Sequence, residues 1–209
     1  MKRATLLPLL ALTCLAWLAP VAYAQEAPDA LVKRVAEDML QTIRSDKELQ
    51  AGNQAKVKQV IETKLVPHFD FVRMTSLAMG RNWRTATAEQ QQQVQEQFKL
   101  LLIRTYSGAL AQLKPDQQIQ YPPFRADPAD TDVVVKTVAL NNGQPVQIDY
   151  RLYKTSNGWK VYDLNVLGAW LIQTYQQQFN EKIQQSGVDG LIKFLTQRNQ
   201  ELAAGKQAS

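Results

Sequence analysis

The spacing of apolar residues changes twice along this chain, and that change limits its fold more than any other feature. Before Pro115 and after Val166, apolar residues recur every three or four positions, as they do on amphipathic helices. Between residues 131 and 166 they alternate with polar residues, as they do on strands with one buried face. Helices, then strands, then helices predict an α+β domain whose curved antiparallel sheet packs against several helices.

The first helical segments have recognisable ends. Residues 28–49 carry one apolar stripe and predict a single helix, and a second helix is expected to end near Pro67. Asp70 predicts the N-cap of a third helix, and Gly80 is placed to end it. Local chemistry therefore divides this part of the chain into short helices.

A longer helix is predicted from Thr87 to about Leu113. The spacing of Thr87 and Gln90 is that of a capping box, in which each residue hydrogen-bonds the backbone of the other. Beyond Val94 this helix is apolar around more of its circumference than one packing surface requires.

Three strands are predicted at residues 131–140, 146–153 and 159–166, joined by turns at Asn141-Asn142-Gly143 and Ser156-Asn157-Gly158. Four apolar residues share one face of the second strand: Val146, Ile148, Tyr150 and Leu152. Further on, a helix is predicted before Gly187, followed by a short last helix and a polar tail after Asn199.

The N-terminus has the pattern of a secretory signal peptide. Lys2 and Arg3 precede the apolar run Leu6 to Leu18, and Ala22-Tyr23-Ala24 fits the cleavage site. An alternative is a lipoprotein signal acylated at Cys14, but the residues before Cys14 do not fit that pattern. We predict a signal peptide over residues 1–24, a single α+β domain over 25–200 and a flexible tail over 201–209.

Removal of the signal changes the composition in two ways that bear on function. The charge falls from 24 basic and 19 acidic residues to 22 and 19, a net +3, because Lys2 and Arg3 leave. With no basic cluster, this small charge argues against a nucleic-acid partner. Cys14 leaves too, so the mature chain has no disulfide and no thiol nucleophile.

Reactive constellations are scarce. His68 is the only histidine, and Asp70 follows two positions later, but no nucleophile elbow accompanies them. No metal-binding spacing and no phosphate-binding glycine loop occurs in the sequence. We expect His68 to be half-exposed at the entrance to a helix and Asp70 to act as its N-cap.

Several motifs occur in order over nearly the whole mature chain. They are Phe69-Asp70-Phe71, Met74-Thr75, Gly80-x-x-Trp83, Thr87-x-Glu89-Gln90, Phe98, Leu102, Tyr106, the run Gly158 to Asp163, Gly168, Tyr175, Phe179 and Gly187-x-Asp189-Gly190-Leu191. Together they resemble the motifs of the MlaC family, also called the toluene-tolerance auxiliary or phospholipid-binding family.

The resemblance implies a carrier, not an enzyme. Members are periplasmic proteins of Gram-negative bacteria that hold a phospholipid by its acyl chains and move it between the two membranes in the Mla pathway, which maintains outer-membrane lipid asymmetry. The implied partners are phospholipid, an inner-membrane ABC transporter with an MCE subunit, and an outer-membrane lipoprotein associated with porins. A monomer with no cofactor is expected, the phospholipid being cargo, and transport in this family is usually described as retrograde.

Such a carrier needs an enclosed apolar cavity, for which the long helix and the sheet supply surplus apolar surface. The residues predicted to line it are Met74, Phe98, Leu101, Leu102, Tyr106, Ile148, Tyr150, Leu152, Val166, Leu171, Tyr175 and Phe179. Periodicity alone does not distinguish a lined cavity from a filled core. Arg73, Arg81, Arg84 and Lys154 are candidates for the cavity mouth or solvated surface charges, and weak headgroup selectivity is expected.

Two other functions remain open at the level of sequence. One is an enzyme with an α+β cavity, in which His68 and Asp70 act as acid and base on a small hydrophobic substrate. The other is a secreted protein-interaction module whose apolar residues form an ordinary core.

Overall fold

The computed structural model describes residues 25–111, 113–141 and 144–205. The predicted signal peptide, with Cys14, the centre of the Asn141-Asn142-Gly143 turn and the end of the predicted tail lie outside these residues. The helices are α1 (Pro28–Ser45), α2 (Lys47–Gln50), α3 (Gln54–Val60), α4 (Phe71–Met79), α5 (Asn82–Thr85), α6 (Ala88–Ala111) and α7 (Leu171–Ala203).

The strands form one open antiparallel sheet. They are β1 (Gln118–Gln120), β2 (Asp132–Asn141), β3 (Gln144–Thr155), β4 (Gly158–Val166) and β5 (Ala169–Trp170), and their spatial order follows their order in the chain. The α+β prediction is confirmed, as are the three long strands. The short strands β1 and β5 were not predicted, because two or three residues are too few to show an alternation.

The helix starts that the sequence indicates are present. The Asp70 carboxylate accepts a hydrogen bond of 2.8 Å from the backbone N–H of Arg73, which confirms the N-cap of α4. Gly80 ends this helix with a φ of +56°. Thr87 and Gln90 form the capping box of α6, with reciprocal bonds of 3.2 and 3.0 Å.

Two predicted helix boundaries are wrong, and one further helix reaches its predicted end near Pro67 without remaining an α-helix. The helix predicted to Leu49 ends at Ser45, because the Asp46 side chain accepts backbone N–H bonds from Glu48 and Leu49 and starts α2. The second helix loosens after Val60 into a wider π-helical turn and then a tight 3₁₀ turn at 66–68. The last helix continues to Ala203, beyond the predicted start of the polar tail.

Helix α7 contains a sharp kink at Gly187. The backbone there has φ +69° and ψ −175°, which is open essentially only to glycine. Three residues on, the chain passes so close to itself that a Cβ on Gly190 would lie 2.2 Å from the Cβ of Ser186. Two glycines therefore let one continuous segment change direction and pack against α6.

The buried residues form three clusters. The largest joins α4, α6 and α7 around Phe98, whose ring meets those of Tyr175 and Phe179 edge-on at 4.8 and 5.0 Å. Each such aromatic pair contributes about 1 kcal/mol beyond its buried area. A second cluster joins α1, α3 and α6, and a third joins α1 to the sheet.

The two-residue turn between β4 and β5 is strained. Val166 pairs with Ala169, and both intervening residues have positive φ, +53° at Leu167 and +89° at Gly168. Such a turn favours Asn-Gly, because leucine is disfavoured in the left-handed region.

We expect Leu167→Asn to raise the free energy of unfolding by about 1 kcal/mol, since it removes strain from a side chain that is 76 % exposed. Urea unfolding measures the change. The matched control is Val134→Asn, at another exposed apolar position with no positive φ, where no gain is expected. A Leu167→Asn variant no more stable than the wild type would show that the turn carries no such strain.

Candidate functional site

The strand register defines one apolar face of the sheet, which is the candidate site. Paired residues of neighbouring strands project to the same side, so the face can be read from the register. Its residues are Ile119, Val133, Val135, Thr137, Ala139, Val146, Ile148, Tyr150, Leu152, Val161, Leu164 and Val166.

Helix α1 covers only part of this apolar face. At the end nearest the β3–β4 turn, buried residues such as Val135 and Leu152 pack against Leu31 and Val32 of α1. The residues toward the other end are half-buried, and we call them the open half of the face: Ile119, Ala139, Val146, Ile148 and Val166. The sheet thus has apolar surface that its own helices do not fully cover.

Most residues predicted to line a cavity lie together in the largest cluster. Its buried members include Met74, Phe98, Leu101, Leu102, Leu171 and Phe179, and Tyr106 and Tyr175 pack at its margin. The side chains of Phe98 and Phe179 are completely buried among protein atoms. In this structure the deepest members of the predicted lining are packed as core residues.

The other predicted lining residues belong to the sheet. Leu152 is buried under α1 with Tyr150 beside it, whereas Ile148 and Val166 are cross-strand neighbours in the open half. The predicted lining therefore combines two kinds of residue: residues that are buried in the core, and residues of the apolar surface that are only half-buried. Apolar periodicity treats them alike because both project toward the protein interior.

Tyrosine hydroxyls occur at the edges of these apolar surfaces. Burial raises the pKa of Tyr175 to about 12 and raises the pKa of Tyr106 and Tyr150 as well. The Tyr175 hydroxyl has a hydrogen-bonding neighbour in Thr105, and that of Tyr150 has one in Thr137. These phenols stay protonated near neutral pH and can act as hydrogen-bond donors.

One of the candidate mouth residues, Arg73, has a structural position on the opposite face of the sheet. Its guanidinium lies 4.0 Å from the ring centre of Tyr153 and 4.4 Å from that of Tyr162, and it bonds Asp132 at 3.3 Å. The Tyr153 hydroxyl also donates to Asp70, the N-cap of α4. This network fixes α4 on the sheet, whereas Arg81, Arg84 and Lys154 are exposed.

A buried carboxylate that sequence reasoning missed holds the start of α7. Asp163 accepts hydrogen bonds from the backbone N–H groups of Leu164 at 2.9 Å and Ile172 at 3.0 Å. It is also 3.0 Å from the Arg151 guanidinium, which stacks at 3.8 Å on the Trp170 ring. Burial raises the pKa of Asp163, against the opposing effects of these donors. An aspartate on the nominally polar face was the only signal for this role.

His68 and Asp70 lie in different clefts beside the β3–β4 turn. Asp70 borders one of about 480 Å³, and His68 borders its neighbour of about 590 Å³. Burial lowers the pKa of His68, and nearby Arg34 and Lys160 lower it further. Since Asp70 is occupied as an N-cap and bonded by Tyr153, the two side chains do not form an acid–base pair.

In the part of the chain that the structure describes, no three His, Cys, Asp or Glu side chains are grouped so that they could hold a metal ion. Within those same ranges, no helix combines the length and the apolar character needed to cross a bilayer.

Comparison with known sequences agrees with the arrangement of the motifs. A family model described as MlaC protein matches residues 33–197. The toluene tolerance protein ttg2D of Pseudomonas putida is 29% identical over 187 residues, 89% of this chain and 86% of that protein. The intermembrane phospholipid transport system binding protein MlaC of Haemophilus influenzae is 23% identical over 186 residues, 84% of each chain.

A solved structure resembles this chain more strongly. It is the phospholipid-binding protein from Ralstonia solanacearum in complex with a phospholipid. It has 52% sequence identity and a TM-score of 0.81, and the alignment covers 86% of this chain and 99% of the other. The two proteins therefore share their fold over almost the whole domain.

Proposed function

The chain belongs to the MlaC protein family, and from this premise we propose that it carries phospholipid through the periplasm, holding the lipid by its acyl chains. The observation that carries the proposal is the phospholipid bound to the Ralstonia solanacearum protein, which has the same fold at 52% identity. The half-covered apolar face of the sheet supports it, because that surface needs an apolar partner.

The physical requirement for a carrier is large. Two acyl chains contain about 30 methylene groups, and exposing each to water costs about 0.8 kcal/mol, so an unshielded lipid faces a barrier of about 25 kcal/mol. A protein that covers the chains with apolar side chains removes most of this barrier. It then needs only weak contacts with the headgroup, which can stay in water.

We propose that the half-buried members of the predicted lining contact the acyl chains directly. These are Tyr106, Ile148, Tyr150, Val166 and Tyr175. The remaining members, buried between α4, α6 and α7 or under α1, support this surface from behind and shift when lipid enters. They are Met74, Phe98, Leu101, Leu102, Leu152, Leu171 and Phe179.

The proposed mechanism contains no covalent step. Docking on a membrane complex opens the site, and the lipid partitions between two apolar sites of similar affinity. The proposed donors and acceptors are an inner-membrane ABC transporter with an MCE subunit, which consumes the ATP, and an outer-membrane lipoprotein associated with porins. Export by cleavage of residues 1–24 would place the 185-residue remainder (209 − 24) in the periplasm.

A transfer assay tests carrier activity. Vesicles of phosphatidylethanolamine and phosphatidylglycerol, with a fluorescent phospholipid quenched in the donors, are mixed with acceptors, with and without the mature protein. We expect transfer to rise in proportion to protein concentration. A rate no higher than spontaneous exchange, from protein that binds no lipid, would reject the proposal and favour a protein-interaction module.

His68→Ala separates the carrier from the rival enzyme. The histidine borders a surface cleft whose lining contains no residue of the open half of the apolar face. We therefore expect the variant to transfer lipid at the wild-type rate and to unfold at the same urea concentration within error. Ser156→Ala, at an exposed position in the same cleft, is the matched control for nonspecific surface effects. Loss of function in folded His68→Ala would favour the enzyme hypothesis.

A further inference from the structure

The Tyr121 hydroxyl is buried and has no hydrogen-bond partner among the residues that the structure describes. The rest of the side chain is only half-buried. A buried hydroxyl without a partner destabilises the folded protein, because it gives up hydrogen bonds to water and gains none in return. Such a group marks a place where a partner from outside the chain can bind.

The neighbours of Tyr121 place it at the edge of the apolar face. Tyr121 directly follows β1, whose last residue, Gln120, pairs with Val138, and it lies beside Lys33 of α1 and Tyr150 of the apolar face. The next residue of β2 on that face is Thr137. Thr137 in turn pairs with Ile148 of the open half. Tyr121 therefore lies at the edge strand of the surface to which we assign the acyl chains.

The Tyr121 hydroxyl is protonated and can donate a hydrogen bond. Burial raises the pKa of Tyr121 to about 12, with smaller contributions from Glu37 and Tyr150. The phenol is protonated at neutral pH and needs an acceptor. Tyr150 does not fill that role, because the Tyr121 hydroxyl forms no hydrogen bond to it or to any other described residue.

Charged groups lie on the solvent side of the same tyrosine. The Lys33 ammonium is 5.6 Å from the centre of the Tyr121 ring, and it is 3.8 Å from the Glu37 carboxylate one turn along α1. Both charged side chains are more than half exposed. Tyr121 thus separates an apolar surface from a charged and hydrated rim, and the ester linkages of a phospholipid lie at the same boundary between acyl chains and headgroup.

We propose that the Tyr121 hydroxyl donates a hydrogen bond to an ester carbonyl at the glycerol end of the bound phospholipid, an inference that rests on the proposed function. This bond fixes how deeply the acyl chains enter along the sheet and leaves the phosphate in water near Lys33. An ester carbonyl fits this position better than a charged acceptor, because burying it costs less desolvation free energy. A phosphate or a free carboxylate would have to be desolvated beside the Glu37 carboxylate.

The test compares dioleoyl phosphatidylcholine with its diether analogue, which has the same chains and headgroup but no carbonyl. Binding to delipidated protein is measured for the wild type and for Tyr121→Phe. We expect the wild type to prefer the ester lipid by about tenfold, the equivalent of one neutral hydrogen bond. Tyr121→Phe should bind the two lipids equally, and its lipid-free form should unfold at a higher urea concentration, since it lacks the unpaired hydroxyl.

Tyr153→Phe is the matched control. Its hydroxyl donates to Asp70 on the other face of the sheet, so the variant should lose stability and keep the ester preference. An unchanged ester preference in Tyr121→Phe, or a lower stability of its lipid-free form, would overturn the inference and leave the carrier function intact. A wild type that binds neither lipid would instead contradict the proposed function.

Discussion

Ile148→Asp is expected to purify without phospholipid and to transfer lipid at least a hundredfold more slowly than the wild type. Ile148 lies in the open half of the apolar face, paired with Thr137 on one side and Val166 on the other. A carboxylate there would have to be desolvated against acyl chains, and an unpaired buried charge costs several kcal/mol. Because Ile148 is only half-buried, we expect the fold to survive.

Two companion variants make this experiment specific. Val134→Asp places the same charge on the opposite face of β2, at a side chain that is 41 % exposed, and should retain lipid. Ile148→Trp adds volume without charge, so it should reduce lipid content while the protein remains folded. Circular dichroism and lipid extraction measure both properties on the same samples. Wild-type lipid content in folded Ile148→Asp would remove the open half of the apolar face from the binding site.

Asp163→Ala is expected to lower the free energy of unfolding by about 3 kcal/mol. The substitution leaves the backbone N–H groups of Leu164 and Ile172 without their acceptor, and each unsatisfied buried group costs about 1–3 kcal/mol. It also removes the ion partner of Arg151. Since Ile172 is in the first turn of α7, the start of that helix should loosen, and amide hydrogen exchange should locate the change there.

Asp163→Asn distinguishes the lost acceptor from the lost charge. Its amide oxygen can still accept from both N–H groups, so we expect a cost of only about 1 kcal/mol. Equal effects of Ala and Asn would contradict the capping role.

The sign of the pH dependence of stability follows from the raised pKa of Asp163, which burial causes. Protonated Asp163 contributes to the free energy of unfolding, and this contribution is complete below the usual aspartate pKa of 3.8. It is lost as the pH rises through the raised pKa of Asp163 in the folded protein.

Local signals in the sequence predict the helix starts and the main strands. Asp70 and the pair Thr87 and Gln90 are recognisable because capping depends on residues three positions apart. Asp46 carries the same kind of signal as an N-cap, but the continuous apolar stripe across it favoured one longer helix.

The features that the sequence did not predict depend on contacts between distant residues. Asp163 reaches Ile172 across a chain reversal, and Arg73 is held between rings from β3 and β4. No local pattern encodes either contact. For the candidate site, the sequence identifies apolar residues that the structure places in the core or on the apolar face, but a residue packed like Phe98 and a half-covered one like Ile148 have the same periodicity.

Native mass spectrometry of the mature protein, purified from periplasm without detergent, shows directly whether the chain carries a phospholipid. We expect a complex with one phospholipid molecule per chain, and extraction should identify the lipid and its acyl chains. A protein that has the mass of the polypeptide alone, and that also takes up no lipid from vesicles, would contradict the claim that this chain is a phospholipid carrier.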